Sequence, residues 1–321
     1  MRILALVPGG IGDQILFFPT LEDLKRSYPD VEIDVVVEPR AKEAYRLFSG
    51  VAQVIPFDFK DRNGLADWGN LLGQVRDRYA DAVLSLGQSW GVSFFLWLTG
   101  IPIRVGYDAT ALSRSFLTHP VPVKPQQYAA RMYHDLLQGL GIGTSCPDLA
   151  INVPKKDIAW AEAEQQKLGL AARDYVLIHG GSSQLARDKG IDKLYPVANW
   201  QAIVQDFQRR QPDLPLVVVQ GPEDAVLVTG LLQACPELKV TRPDNLGQLA
   251  ALIAGANLML CTDSAPMHLA VAVQTYTLAL FGPTDPAKLL PRSDKFVGIQ
   301  SPTGNMADIS PATVLAKIWE G

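Results

Sequence analysis

The strongest constraint on the fold lies in residues 258–286, LMLCTDSAPMHLAVAVQTYTLALFGPTDP. There a short apolar run, a polar turn, a small-residue stretch, a second apolar run and a Gly-Pro turn follow in order. This is the order of a strand–helix–strand unit. After a strand ending near Cys261, Asp263 or Ser264 can cap the next helix, and Pro266 suits its first turn, where a missing N–H costs nothing. A helix N-terminus at the carboxyl end of a parallel strand gathers unpaired N–H groups and the positive end of the dipole at one point, which suits phosphate. His268 stands close enough to the helix start to add a donor. The same residues equally describe a capped helix in an ordinary α/β domain with His268 packed against a strand, so spacing alone leaves both readings open.

The alternation extends over the whole chain. Arg2 to Pro8 reads as a buried strand, and PGGIGDQILFFPTLEDLKRSYPD as a glycine loop entering a helix that stops before Pro29. VEIDVVVE, VAQVIPF, ADAVLSLG and IPIRVGY read as further strands, with helices through AKEAYRLFSG, DWGNLLGQVRDRY and the aromatic SWGVSFFLWL between them. Such βαβ order implies parallel strands and right-handed crossovers. The glycine loop is not a dinucleotide fingerprint, since a GxGxxG pattern on Gly10 and Gly12 needs a third glycine where Ile15 stands. It does leave Asp13 at a helix N-terminus, where the dipole favours the ionised carboxylate; both a general base and a routine first-turn acid have that description.

Residues 108–127 are rich in Pro, Ser and Thr without a period, and are expected to form a long loop. Arg114 and Lys124 in it could meet an anionic acceptor or simply be solvated. A prolyl break in CPDLAINVPKK places a hinge near Val153 to Lys156, giving domains 1–154 and 155–321. In the second, DYVLIHGGSS is a strand running into a turn whose glycines and hydroxyls, Ser182 and Ser183 among them, suit phosphate oxygens. His179 reads as a ligand contact or a packed strand-end residue, with packing favoured. LPLVVVQGPED adds a strand, after which Glu223 could accept hydrogen bonds from a ribose or serve as a helix-start acid. The last helix, PATVLAKIWEG, could return to the first domain.

The chain's 321 residues suffice for two cores, and its 19% charged and 48% hydrophobic content describes a globular, enzyme-like protein. With 29 basic against 33 acidic residues, no global positive field points to nucleic acid. Three distant cysteines, Cys146, Cys235 and Cys261, give neither a disulfide framework nor a CxxC metal site, and no cluster has metal-ligand spacing. The ILALVP run is too short for a signal segment, and VSFFLWLTGIPI falls well short of the roughly 20 residues that span a bilayer. The expectation is a cytoplasmic protein.

TDSAPMHLAVAV followed by LALFGPTDP resembles the D-[ST]-G-x-x-H-L-A-A-A…GPTDP signature of glycosyltransferase family 9, the ADP-heptose:lipopolysaccharide heptosyltransferase family. Gly12, Asp13 and Pro19 match the family's opening motif, and GIDKLYP resembles its Lys-x-Trp-Pro motif, with Tyr195 where Trp is usual. The resemblance covers nearly the whole chain. It implies the GT-B fold, an α/β architecture of two Rossmann-like doubly wound parallel-sheet domains facing a cleft. The implied reaction is inverting, metal-independent transfer of heptose or a similar sugar from a nucleoside diphosphate sugar, ADP-linked in the family, to a lipopolysaccharide or other glycan acceptor, with no cofactor. Asp13 would be the base, and Lys193 would offset charge on the leaving diphosphate. Ser182, Ser183, Glu223, Asp263, Ser264, Ala265 and His268 would hold the donor; Gly12, Arg114 and Lys124 would meet the acceptor. A glycolipid acceptor would bring peripheral contact with the inner face of a membrane.

Two departures stand inside the donor motifs. Ala265 replaces the family's glycine, which matters if that backbone needs φ > 0, and QLARDKGID before Lys193 is longer than usual. Three other classes share parts of this pattern: a sugar-nucleotide epimerase of the same fold, a catalytically silent nucleotide-sugar-binding or scaffold protein, and a nicotinamide oxidoreductase, the last disfavoured by Ile15.

Overall fold

A computed structural model of the chain describes residues 1–59, 64–170, 174–181, 190–191 and 193–320. Two compact units divide it, Met1–Asn152 and Val153–Gly321, each a six-stranded, all-parallel sheet flanked by helices.

In the first unit, β1 (Arg2–Val7), β2 (Glu32–Val37), β3 (Gln53–Pro56), β4 (Ala82–Ser85), β5 (Ile103–Tyr107) and β6 (His119–Val121) lie in the order β3-β2-β1-β4-β5-β6. The central strand pairs Leu6 with Val36 on one side and with Ser85 on the other. Ile3 to Val7 are almost wholly shielded from solvent, because helices cover both faces of a parallel sheet and leave no solvated side on which polar residues could alternate. The helices are α1 (Ile11–Ser27), α2 (Leu65–Arg76), α3 (Trp90–Thr99), α4 (Ala111–Phe116) and α5 (Ala129–His134). The segment AKEAYRLFSG, read from the sequence as a helix, instead belongs to a 3₁₀ stretch over Pro39–Leu47. The Ser89 hydroxyl caps α3 by accepting from Val92 N–H, and Gly100, at φ 75°, ends it in the left-handed conformation that only glycine adopts without strain.

The expectation of a long irregular loop over residues 108–127 is corrected: α4 and β6 both form inside it. Thr110 caps α4 by accepting from Ser113 N–H, and β6 adds to the sheet edge through Gly106↔Pro120. Pro120 is tolerated there because one side of an edge strand lacks a partner that would need its N–H. A three-residue strand carrying a proline offers neither alternation nor apolar length, which is why the sequence hides it.

The second unit repeats the plan. Its strands β7 (Val176–His179), β8 (Leu216–Val219), β9 (Lys239–Thr241), β10 (Leu258–Thr262), β11 (Thr277–Phe281) and β12 (Phe296–Gln300) are ordered β12-β11-β10-β7-β8-β9. Read from the other edge, this is the order of the first sheet, strand for strand, and both are Rossmann-like. The helices are α6 (Lys155–Lys167), α7 (Val197–Arg210), α8 (Ala225–Ala234), α9 (Leu246–Ala254), α10 (Ala265–Ala272), α11 (Pro286–Leu289) and α12 (Pro311–Trp319). Tyr195, Trp200, Ile203 and Phe207 form a core with Ile178, Val218 and Leu260. The last helix packs on α7 within this unit: Trp319 donates its indole N–H to Asp206 at 2.9 Å and lies against Phe207 at 4.9 Å. Among the described residues no helix is long and apolar enough to cross a membrane.

One buried polar cluster ties the first unit's helices together. Asp23 on α1 accepts hydrogen bonds from His134 Nε2 on α5, at 2.9 Å, and from the Thr144 hydroxyl. Burial alone would raise the Asp23 carboxyl, but the bonds from Thr144 and His134 and the charges of His134 and Arg26 together hold it below its ordinary value. A carboxyl whose folded value is lowered contributes stability that is fully present above its unfolded pKa, about 4, and is lost as pH falls through the lowered folded value. Melting temperature measured across acid pH should therefore fall less steeply for Asp23→Asn than for the parent below about pH 4. Parallel curves would show that this cluster has no share in the acid response.

Candidate functional site

In a sheet with the order 3-2-1-4-5-6, the helices that follow strands 1 and 4 leave toward opposite faces, and a crevice opens between those strands at their carboxyl ends. In the second unit these are β7 and β10, directly paired through Cys261↔His179. The strand ends deliver His179 and Thr262, and the turn to α10 delivers Asp263 and Ser264.

Asp263, only 4% exposed, accepts from Lys193 Nζ and from the Thr284 hydroxyl, both at 2.6 Å on Oδ2. The sequence offered Asp263 as a helix cap; instead it joins the Lys193 segment to the Gly-Pro-Thr turn after β11. Ser264 does occupy the N-cap of α10, yet its hydroxyl donates to Thr262 C=O at 3.1 Å and stands 3.3 Å from His179 Nδ1 rather than capping. Among the described residues no side chain caps the start of α10; Met267 N–H donates to Ser264 C=O at 3.0 Å and Pro266 has no N–H, so what the turn offers an incoming acceptor is the Ala265 N–H and the positive end of the helix dipole.

Ala265 and Pro266 open α10 in helical conformation, and Ala265 is not among the residues with positive φ. The alanine therefore carries no backbone strain where the family has glycine. His268, one turn in, is buried with the rest of the helix from Pro266 to Ala272. Burial and the Asp263 charge push the Cys261 thiol far up, so it stays protonated and is no nucleophile.

Lys193 is placed by its neighbours. Tyr195, two residues on, is buried, donates to Ile309 C=O at 2.8 Å and meets Trp200 edge-on at 5.2 Å. Burial pushes the Tyr195 hydroxyl up to about 12, which keeps it a donor. Tyr195 thus supplies both the aromatic bulk of the usual Trp and a polar anchor. The Lys193 ammonium has three N–H donors, of which Asp263 needs one. Ser182 and Ser183 lie outside the described residues.

Packing alone does not account for His179. Its Nε2 lies 3.3 Å from Asp224 Oδ2, and the same carboxylate accepts from Gly221 N–H at 2.9 Å. A Cβ on Gly181 would fall 1.9 Å from Asp224 Oδ1 and one on Gly221 2.7 Å from Oδ2, so both glycines are there to let a buried carboxylate approach the backbone. Glu223, the sequence candidate, is exposed in the turn before α8, whereas its neighbour Asp224 is the buried one. Sequence reasoning missed Asp224 and Thr284; the signal for Asp224 was its place three residues after a strand-end glycine.

The equivalent position in the first unit, between β1 and β4, holds Asp13. One carboxylate oxygen accepts from Gly10 N–H at 2.8 Å and the other from the Tyr133 hydroxyl at 2.8 Å. A Cβ on Gly9 would stand 2.4 Å from Asp13 Oδ2, so the small loop is fitted to this side chain. The loop is also fixed from below: Gln14, wholly buried, donates to Val7 C=O and Gly9 C=O and accepts from Tyr45. Burial, and after it the Asp13 charge, push the Tyr133 hydroxyl well up, so Tyr133 donates and Asp13 accepts. Gly12 lies in the first turn of α1 beside it. Arg114 and Lys124 are exposed and paired with Asp108 at 3.2 Å and Asp135 at 3.1 Å; no contact links either to Asp13 in this structure. Among the described residues no group of three or more His, Cys, Asp and Glu could hold a metal ion.

Several known proteins are similar to this chain. The Arabidopsis thaliana photosynthetic NDH subunit of subcomplex B 1, chloroplastic, is 26% identical over 100% of the chain and 74% of its own length. Lipopolysaccharide heptosyltransferase 3 of Escherichia coli is 25% identical over 85% of the chain and 81% of its own length. The E. coli heptosyltransferase WaaC, solved with ADP-2-deoxy-2-fluoro heptose, superposes with a TM-score of 0.75 at 20% identity, over 100% of this chain and 99% of that one, and shares the fold. The family model for glycosyltransferase family 9 (heptosyltransferase) matches residues 68–318, most of the chain, so the chain belongs to that family and is a glycosyltransferase.

Proposed function

We propose that the protein transfers a sugar, heptose or a close analogue, from a nucleoside diphosphate sugar to a hydroxyl of a lipopolysaccharide or other glycan acceptor, with inversion and without a divalent metal. The observation that carries this reading is the uncapped start of α10 beside the Lys193–Asp263 pair, both at the crevice between β7 and β10. An ammonium and the positive end of a helix meet there, as a diphosphate leaving group requires. An ADP-linked donor is favoured by the heptosyltransferase neighbour solved with an ADP-heptose analogue.

In the proposed step the acceptor oxygen attacks the anomeric carbon, its proton passes to Asp13, and the bond from that carbon to the diphosphate oxygen breaks. Asp13 retains lone pairs beyond the two engaged by Gly10 and Tyr133. The charge that develops on the diphosphate is met by Lys193 and the positive end of α10; groups set in place before the reaction need no reorganisation as charge appears. Ser264 and His268 belong to the same turn and helix, and Glu223, in the turn between β8 and α8, would meet the ribose.

A second reading rests on one observation. A relative that spans the whole of this chain bears the name of a photosynthetic NDH subunit, so the same fold would also serve as part of an assembly, holding a nucleotide sugar without turnover. Incubating the purified protein with a panel of nucleotide sugars and glycan acceptors separates the two. Transfer supports the first; donor binding without turnover on any acceptor supports the second.

Asp13→Asn should lower transfer by about 10²–10⁴-fold, the usual worth of a positioned base, while donor affinity barely changes. An Asn variant that turns over at the parental rate would remove Asp13 from the chemistry. A melting temperature taken on the same variant separates lost chemistry from lost folding, since a helix-start acid alone is worth on the order of 1 kcal/mol.

Transfer should persist in excess chelator. Loss on chelation that Mg²⁺ or Mn²⁺ restores would show that Lys193 and the helix start do not suffice.

A further inference from the structure

We infer that His179 is a positioning residue for the diphosphate: it takes up a proton as the diphosphate binds and, through Ser264, turns a hydroxyl toward a phosphate oxygen. The inference rests on the reading of this crevice as a diphosphate site and gives a task to a buried histidine that the transfer step leaves unused. Three turns at the carboxyl edge of the second sheet bring a serine, a histidine and an aspartate into line. His179 ends β7, Asp224 is the N-cap of α8 and Ser264 the N-cap of α10. Ser264 Oγ stands 3.3 Å from His179 Nδ1, and His179 Nε2 stands 3.3 Å from Asp224 Oδ2. His179 and Asp224 are each 7% exposed, so bulk water does not serve the ring nitrogens. The strand end that carries the ring is itself held, since the Thr262 hydroxyl donates to Gly181 C=O at 2.9 Å and a Cβ on Gly180 would fall 2.8 Å from Trp200 Nε1.

The hydrogens along this line do not suffice for its acceptors. A carboxylate only accepts, so the ring nitrogen that faces Asp224 carries a hydrogen. In a neutral ring Nδ1 is then an acceptor and needs the Ser264 proton. That hydroxyl has one proton and a second claimant, Thr262 C=O at 3.1 Å. Whichever acceptor it serves, the other goes without, and a buried acceptor left unserved is costly. A proton on Nδ1 removes the conflict. The ring then donates at both ends, to Asp224 and to Ser264 Oγ, and the Ser264 hydrogen is free to turn to a phosphate oxygen.

Charge points the same way. The titratable groups on the elements around His179 are Asp224 and the exposed Glu223 in the β8–α8 turn, Asp263 with its partner Lys193, Cys261 opposite it on β10, and His268 in α10. The Cys261 thiol stays protonated and adds no charge. Among the described residues of this crevice Lys193 offsets Asp263, which leaves the Asp224 and Glu223 carboxylates facing an incoming polyanion with no second ammonium or guanidinium at the strand ends. A proton on His179 offsets Asp224 and puts a cation behind Ser264. An anion at Ser264 favours that proton, and by reciprocity the proton favours the anion.

The test is calorimetric titration of the full chain with ADP, and with UDP, in buffers of different ionisation enthalpy at one pH, so that the buffer-dependent heat counts protons taken up on binding. A pH near 8 lies above the ordinary range of both histidine and nucleotide phosphates. The parent should take up a fraction of a proton approaching one, and its affinity should rise by roughly threefold between pH 8 and pH 7, because binding that consumes a proton strengthens as pH falls. His179→Gln should bind more weakly, with neither the uptake nor the pH dependence. Ser264→Ala keeps the histidine and should lose most of the uptake, which carries the test where His179→Gln does not fold; melting temperature checks both. A purely structural His179 predicts a lower melting temperature in His179→Gln with an unchanged proton count. Nucleotide binding by the parent without uptake, or parental uptake in either folded variant, would overturn the inference and leave the diphosphate site standing. A parent that binds neither nucleotide would overturn both.

Discussion

Everything functional in this molecule depends on the burial of parallel strands on both faces. Ile3 to Val7 and Val176 to His179 are closed off by helices above and below, so a charged group that projects from the middle of either sheet loses its water and needs a partner, as buried Asp34 on β2 has in Arg78 at 3.1 Å. Chemistry on a ligand is left to the strand ends. There the strand order reverses, and the helices leaving β1 and β4, or β7 and β10, diverge and open the one place where backbone and side-chain donors can converge. The duplicated strand order means that the chain has two such places, one holding Asp13 and the other Lys193, Asp263 and Ser264.

Around those points the protein shows how buried and half-buried charge is kept. Asp263 is satisfied by Lys193 and Thr284, Asp224 by Gly221 N–H and His179, Asp13 by Gly10 N–H and Tyr133. Each carboxylate fixes a loop, and a glycine with no room for a Cβ marks two of these approaches, Gly181 against Asp224 and Gly9 against Asp13. These arrangements hold the site in shape before any ligand arrives, which is how a preorganised site acts without paying reorganisation at the moment of reaction.

The alternation of apolar runs and small-residue helices made the two Rossmann-like sheets legible, because a parallel strand must be apolar on both faces and its crossover helix must follow it. The α10 turn was legible for the same reason, together with its Pro266. What escaped was short or long-range. β6, with its edge proline, and α4 have too few residues to show a period. The roles of Asp224 and Thr284 depend on side chains from other turns, His179 and Asp263, that only the folded sheet brings near. Ala265 stood out in the sequence against the family's glycine, and its helical backbone shows that no glycine is needed at that point.

The central claim is that the crevice between β7 and β10 holds a diphosphate through Lys193 and the start of α10. Calorimetric titration of the full chain with ADP and with AMP, on the parent and on Lys193→Ala, addresses it most directly. The account predicts that the parent binds ADP more tightly than AMP and that the preference shrinks in the folded variant, because the ammonium is a large share of the charge that meets the second phosphate. Equal affinities of the parent for the two nucleotides, or an unchanged preference in Lys193→Ala, would contradict it.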